Sequence, residues 1–264
     1  MYRALYTAAS GMETQQINLE NVANNLANAN TTGFRRRRLQ FQDLIYQNLV
    51  LPGAASTQQT TFPTGLQIGL GTRLAASASV QLQGDINTTG NTLDLCIQGQ
   101  GFFQVQLPSG EVAYTRDGSF SLDPTGILVT SDGYQLQPAI TIPPSATNVT
   151  IGTDGTVSVQ LPGQQQAQQV GTIQLATFAN PGGLSSVGQN LFLETTASGN
   201  PIVGTPGGSE GLGTILQGSL ENSNVDIVTE FVNMILAQRS YEANSRVVQA
   251  ANEMFQTINS LTTT

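Results

Sequence analysis

The chain has 264 residues, enough for one or two domains with a real core, but only 10% are charged, against about 25% in typical globular proteins. Formal net charge is −8, every basic residue is arginine, and histidine and tryptophan are absent. There is thus no broad basic footprint for nucleic acid and no Ser–His or Cys–His catalysis, and one cysteine excludes both an internal disulfide and a Cys/His zinc site.

Residues 1–33 predict a helix. Leu5, Met12, Leu19 and Leu26 recur every seven positions, with Ala8, Gln15 and Val22 or Ala9, Gln16 and Ala23 between them. That is a heptad seam with a thin second stripe of small residues. Gly11 interrupts it at a cost of roughly 1 kcal/mol relative to alanine. Asn30-Thr31-Thr32-Gly33 predicts the helix end. Residues 23–34, ANNLANANTTGF, carry Asn24, Asn25 and Asn28 on this helix although asparagine is a mediocre helix former. An amide that both donates and accepts fixes register and partner choice in a helical seam, so these asparagines are expected to face neighbouring helices in an assembly.

The first twenty residues lack the apolar core of a cleaved signal peptide, and no apolar run approaches the ~20 residues of a membrane span. The expectation is a cytosolic chain, or one that leaves the cell without a cleaved leader. Arg35–Arg38 predict a basic segment beyond a helix C-terminus, favourable for the helix dipole and able to pair with carboxylates of other subunits.

Residues 34–94 show little periodicity from 50 onward and predict extended connecting structure. GLQIGLGTR (65–73) is no P-loop, which needs lysine, and GQGFF (99–103) does not open a helix, so phosphate binding is not expected. Residues 95–205 predict an all-β unit. FFQVQL, EVAYTR, SFSLD, ILVT, NVTI, TVSVQL and GTIQLATF are separated by Pro-Ser-Gly, Asp-Gly, Asp-Pro-Thr-Gly, Ser-Asp-Gly and Thr-Asp-Gly turns. Cys96 is expected to be a buried strand residue, and Asp117, Asp123, Asp132 and Asp154 to close turns rather than to catalyse. Residues 206–222 predict a returning connector.

Residues 223–264 predict a second long helix. Ser223-Asn224-Val225-Asp226 resembles a capping box, and Val228, Phe231, Val232 and Ile235 share one face. Val247, Ala251, Met254, Ile258 and Leu261 then follow with 4-3-4-3 spacing. At about 1.5 Å per residue the two helices would run roughly 40 and 55 Å. The fold class is α+β: both ends enter one helical region and a β unit is inserted between them. Two helices cannot bury seams this long alone, and polymerisation is the simplest cover. The predicted self-assembly seam is Leu5, Met12, Leu19, Asn24, Asn25, Leu26 and Asn28 in front, with Phe231, Ile235, Val247, Ala251, Met254, Ile258 and Leu261 behind.

ANNLANANTTGF and SNVDIVTEFVNMILAQRSYEANSRVV resemble the terminal signatures of the bacterial flagellar rod and hook proteins. The resemblance covers nearly the whole chain. FQDLIYQNLVLPGAASTQQTTFPTGLQIGLGTR is similar to the distal-rod members rather than the hook members. It implies terminal helices packed as an inner coiled-coil tube that folds on assembly, with the β unit as an outer domain. It also implies export through the flagellar type III apparatus and a rigid, hollow rod crossing the periplasm, with no enzymatic activity, cofactor, metal or small-molecule substrate. The implied partners are further copies of the chain, proximal rod proteins, the hook protein, and the peptidoglycan- and outer-membrane-ring bushing proteins. The motif residues carried over are Asn24, Asn25, Leu26, Asn28, Thr32, Gly33 and Phe34, with Asn224, Val225, Gln238, Arg239, Tyr241 and Glu242 in the rear helix. Residues 46–65 correspond to a rod-type stiffening insert carrying Leu49, Pro52, Gly53, Thr60, Pro63 and Gly65. Four consecutive arginines exceed the family's usual one or two basic residues at this point. The rival readings are a hook or proximal rod subunit, a secreted oligomeric β-domain binding module, and a hydrolase built on the turn acids.

Overall fold

A computed structural model describes residues 2–53, 63–164, 166–208 and 211–262, without the side chains of Asn259, Leu261 and Thr262. Long helices stand at the two chain ends, α1 (Tyr2–Ala27) and α2 (Ile227–Thr262), with strands between them, an α+β chain. Contacts divide it into two units. One holds Met1–Leu26, Arg37–Ala78 and Asp226–Thr264, and the other Ala27–Arg36 and Ser79–Val225.

In the first unit α1 and α2 run antiparallel. The Tyr2 and Phe255 rings lie 5.3 Å apart, and Gly11 lies under the side chain of Asn244. The contacts advance along one helix as they retreat along the other. α1 stops at Ala27, short of the predicted terminator. The Asn28 carbonyl accepts the Thr31 N–H at 3.2 Å and Asn28 Oδ1 accepts the Thr31 hydroxyl, closing a turn that competes with further helix. α2 is capped by Asp226 rather than Ser223. Asp226 Oδ1 accepts the Val228 N–H at 3.0 Å, Oδ2 accepts the Thr229 hydroxyl, and a carboxylate at the N-terminus suits the helix dipole.

The segment expected to be connecting structure is a two-stranded ribbon. β1 (Arg37–Asp43) pairs with β4 (Thr72–Ser79), and β2 (Tyr46–Val50) pairs antiparallel with β3 (Leu66–Gly69). The Leu44 N–H donates to the Gly71 carbonyl between the pairs, so the ladder is continuous. At ~3.3 Å per residue its arm reaches about 45 Å. Both faces of β1 and β2 are largely exposed.

In the second unit, β5 (Ile86–Thr88) and β6 (Leu95–Gln98) lead into β7 (Phe102–Gln106), β8 (Val112–Thr115), β9 (Ser121–Leu122), β10 (Leu128–Val129) and β11 (Gln135–Gln137). Then come β12 (Asn148–Ile151), β13 (Thr156–Gln160), β14 (Gln168–Thr172) and β15 (Leu175–Thr177). β16 (Ser185–Gly188), β17 (Leu191–Leu193), β18 (Ile202–Gly204), β19 (Thr214–Gln217) and β20 (Ser219–Glu221) complete it. The main sheet runs β16-β17-β8-β7-β11-β10-β9, with β15 joining β7 to β18, while β12-β13-β14 form a second sheet. β19 and β20 return to pair with β6 and β5.

Strand alternation places the core. Phe103 and Val105 of β7 point into the main cluster with Leu95, Leu128, Ile173 and Ile215, while Phe102 points to the other face, onto Phe178 and Phe192. The turns follow the acids and glycines. Asp123 Oδ1 accepts the Thr125 and Ile127 N–H groups at 2.8 Å, and Gly126 takes φ +84° beside the Ile142 carbonyl, where a Cβ has no room.

Candidate assembly surfaces and a buried junction

The two helices carry two kinds of stripe. On α1, Ala8 and Val22 are buried, and Leu5, Met12, Leu19 and Leu26 of the predicted seam are half-buried beside them. On α2 the inward residues Glu230, Ala237, Asn244 and Ala251 recur every seven positions, and the half-buried Met234, Val248 and Phe255 fall between them. Gly11 is explained here: a Cβ would stand 2.8 Å from Asn244 Nδ2, so glycine gives the amide its place. Ala251 therefore separates from the other rear-seam residues. Phe231, Ile235, Val247, Met254 and Ile258 remain 40–56% exposed. The side chain of Leu261 lies outside the described residues.

The three asparagines differ. Asn24 is exposed and Asn28 half-buried, and both keep partners within the chain. Asn25 is buried, with Nδ2 donating to the Arg37 carbonyl and Oδ1 accepting the Arg37 N–H, each at 2.9 Å. Asn21 donates to the same carbonyl at 2.9 Å. A side-chain amide thus takes the place of a neighbouring strand and ties β1 to α1.

Along the segment expected to be a rod-type insert, Leu49, Pro52, Gly53 and Pro63 are exposed, and Thr60 lies outside the described residues. Gly65 is fixed by close approach, since a Cβ would lie 2.6 Å from the Val50 carbonyl oxygen and 2.7 Å from Pro52 Cδ. Ile45, Leu51 and Leu66 are also exposed. A two-stranded ribbon of this kind is marginal in water without something to pack on.

The second unit holds a junction whose members are too far apart in the chain to be paired from sequence. Glu221 Oε1 lies 2.7 Å from Arg35 Nη1 and Oε2 lies 3.3 Å from Arg116 Nη1, all three side chains being at most 6% exposed. Glu221 also accepts the Gly84 N–H on its carboxylate and the Gly33 N–H on its carbonyl. Arg35 Nη1 donates to the Leu82 carbonyl and Arg116 Nη2 to that of Gly99, while the Arg116 guanidinium sits 5.4 Å from the Phe102 ring centre. Burial, only partly offset by Glu221, lowers the Arg116 pKa to about 10, leaving it charged at neutral pH. Asn224 completes the junction by accepting the Arg36 N–H at 2.7 Å and donating to the Val80 and Leu82 carbonyls. The first of the four arginines, expected to seek carboxylates elsewhere, uses Glu221 of its own chain.

Three of the remaining motif residues make local contacts. A Cβ on Gly33 (φ +68°) would stand 2.8 Å from the Arg116 backbone, and Arg239 and Glu242 form an exposed 3.1 Å pair on α2. Asp117, Asp123 and Asp154 each accept hydrogen bonds within their own turns. Among the described residues no group of three metal-ligating side chains is brought together, and no helix is long and apolar enough to cross a membrane.

Three family models match. Residues 5–35 match the flagella basal body rod protein, 96–159 the flagellar hook protein FlgE/F/G D1 domain, and 216–261 the flagellar basal body rod FlgEFG protein C-terminal model. The flagellar basal-body rod protein FlgG of Caulobacter vibrioides is 50% identical over 98% of this chain and 99% of its own length. That of Buchnera aphidicola subsp. Baizongia pistaciae is 47% identical over 99% and 100%, and that of Bacillus subtilis 39% over 97% of each. The flagellar hook-basal body complex protein FlhP of Bacillus subtilis is 31% identical over 99% of this chain and 100% of its own. The chain belongs to the flagellar basal-body rod protein FlgG family and is a structural subunit of the flagellar rod.

Proposed function

We propose that this subunit polymerises helically into the distal part of the rod, a hollow shaft carrying torque from motor to hook. The observation that carries the proposal is the set of large apolar side chains left in water along the 36-residue α2, Phe231 and Ile235 on one side and Val247, Met254 and Ile258 on nearly the opposite side. Large apolar side chains exposed on two sides of one helix mark interaction faces, and further copies of α1 and α2 offer matching ones. The helices then form an inner coiled-coil tube, the β unit an outer layer, and the exposed apolar residues of the 46–65 ribbon pack between copies and stiffen the shaft. The ends of the polymer meet proximal rod proteins and the hook, and its flank turns within the peptidoglycan- and outer-membrane-ring bushing. Stiffness comes from many repeated seams, each modest. Electron microscopy of concentrated protein tests this: tubes of one fixed diameter are expected, and a chain that stays monomeric at every concentration contradicts it.

A further inference from the structure

We propose that the groove over the paired strands β8 and β17, at their Glu111 and Glu194 end, receives Arg37 of a second copy of this chain. The proposal rests on the polymer described above and names one of its contacts. The groove, about 420 Å³, is lined by Glu111, Val112, Tyr114, Leu193 and Glu194. Tyr114 is 3% exposed, its ring held edge-on to Phe178 at 4.8 Å, and its hydroxyl makes no hydrogen bond among the described residues. Two carboxylates, an unpartnered phenol and two aliphatic walls complement a guanidinium on a methylene stem.

The chain has no lysine, so its own cations are arginines. Arg35 and Arg116 are buried on Glu221, Arg239 is paired with Glu242, Arg73 reaches Gln42, and Arg36 has a partner within the chain. Arg3, Arg37, Arg38 and Arg246 are exposed and make no ion pair among the described residues, and of these we take Arg37. Its backbone is nevertheless held by Asn25 and Asn21 at 2.9 Å, so the root of the side chain is fixed before any partner arrives. A pre-positioned cation without an acceptor lowers the ordering cost of an intermolecular pair. Arg38, also exposed, is the next residue of β1 and points to the opposite face, which makes it an internal control.

The test compares the concentration at which full-length protein forms tubes, by sedimentation and electron microscopy. Arg37→Glu and the double variant Glu111→Arg/Glu194→Arg are each expected to raise it about tenfold, the triple variant to restore it, and Arg38→Glu to leave it unchanged. Unchanged thresholds in the Arg37 and Glu111/Glu194 variants overturn the contact, as does a triple variant that restores nothing. Wild-type protein that forms no tubes at all overturns the polymer itself, and is told apart because it involves no variant. Because the Arg37 side chain makes no hydrogen bond or ion pair among the described residues, thermal melts of Arg37→Glu should match wild type.

Discussion

The amide of Asn25 matches the backbone of Arg37 group for group, donating to its carbonyl and accepting its N–H at 2.9 Å each. Replacing Asn25 by leucine leaves the Arg37 N–H without an acceptor in a buried setting, a loss of about 1–3 kcal/mol. Asn21→Ala should cost less, because Asn25 still holds the carbonyl. Hydrogen exchange at the Arg37 amide checks both: rapid in Asn25→Leu, near wild type in Asn21→Ala.

Glu221 is the shared counter-ion of two buried arginines. Glu221→Gln keeps the shape but leaves two guanidinium groups buried without an anion, which should destabilise the second unit by about 3–5 kcal/mol. A thermal melt reads this directly, and a melt unchanged from wild type would show that the pair contributes nothing.

Cys96 is buried, and burial together with the charge of Glu221 raises its pKa to about 11. At pH 8 about one thiol in a thousand is then ionised. Native protein should resist thiol reagents at pH 8 and react fully once denatured. Prompt native labelling would contradict the burial.

Asp123 and Asp154 have pKa values below the ordinary 3.8, first because Thr125 and Thr156 hydroxyls donate to them. A carboxyl with a lowered folded pKa contributes its stability above the unfolded pKa and loses it as pH falls through the folded one, so the window lies below about 3.8. Thr125→Val should move the Asp123 titration back toward 3.8 in carbon-detected NMR while leaving Asp154 unchanged.

The elements with local signals were legible. Heptad spacing marked both helices, and acid–glycine pairs marked the turns at Asp123–Gly126 and Asp154–Gly155, because those forces act within a few residues. The ribbon strands were not, since their alternation is short, as at Leu39-Gln40-Phe41-Gln42, and both of their faces are exposed. Glu221 gave no signal either: its partners Arg35, Gly84 and Arg116 are distant in sequence, and only the fold brings them together. The α2 cap was misplaced by three residues, as Ser223 and Asp226 are equally good caps and only the backbone chooses between them.

In the assembled rod the exposed apolar side chains of α2 should be covered by sister copies. A Val247→Cys chain measures this directly, because Cys96 is buried and silent. Labelling of the new thiol should be fast in dilute protein and about a hundredfold slower in assembled tubes, as expected for a side chain that passes from water into a packed seam. Equal labelling rates in the two states would contradict the account.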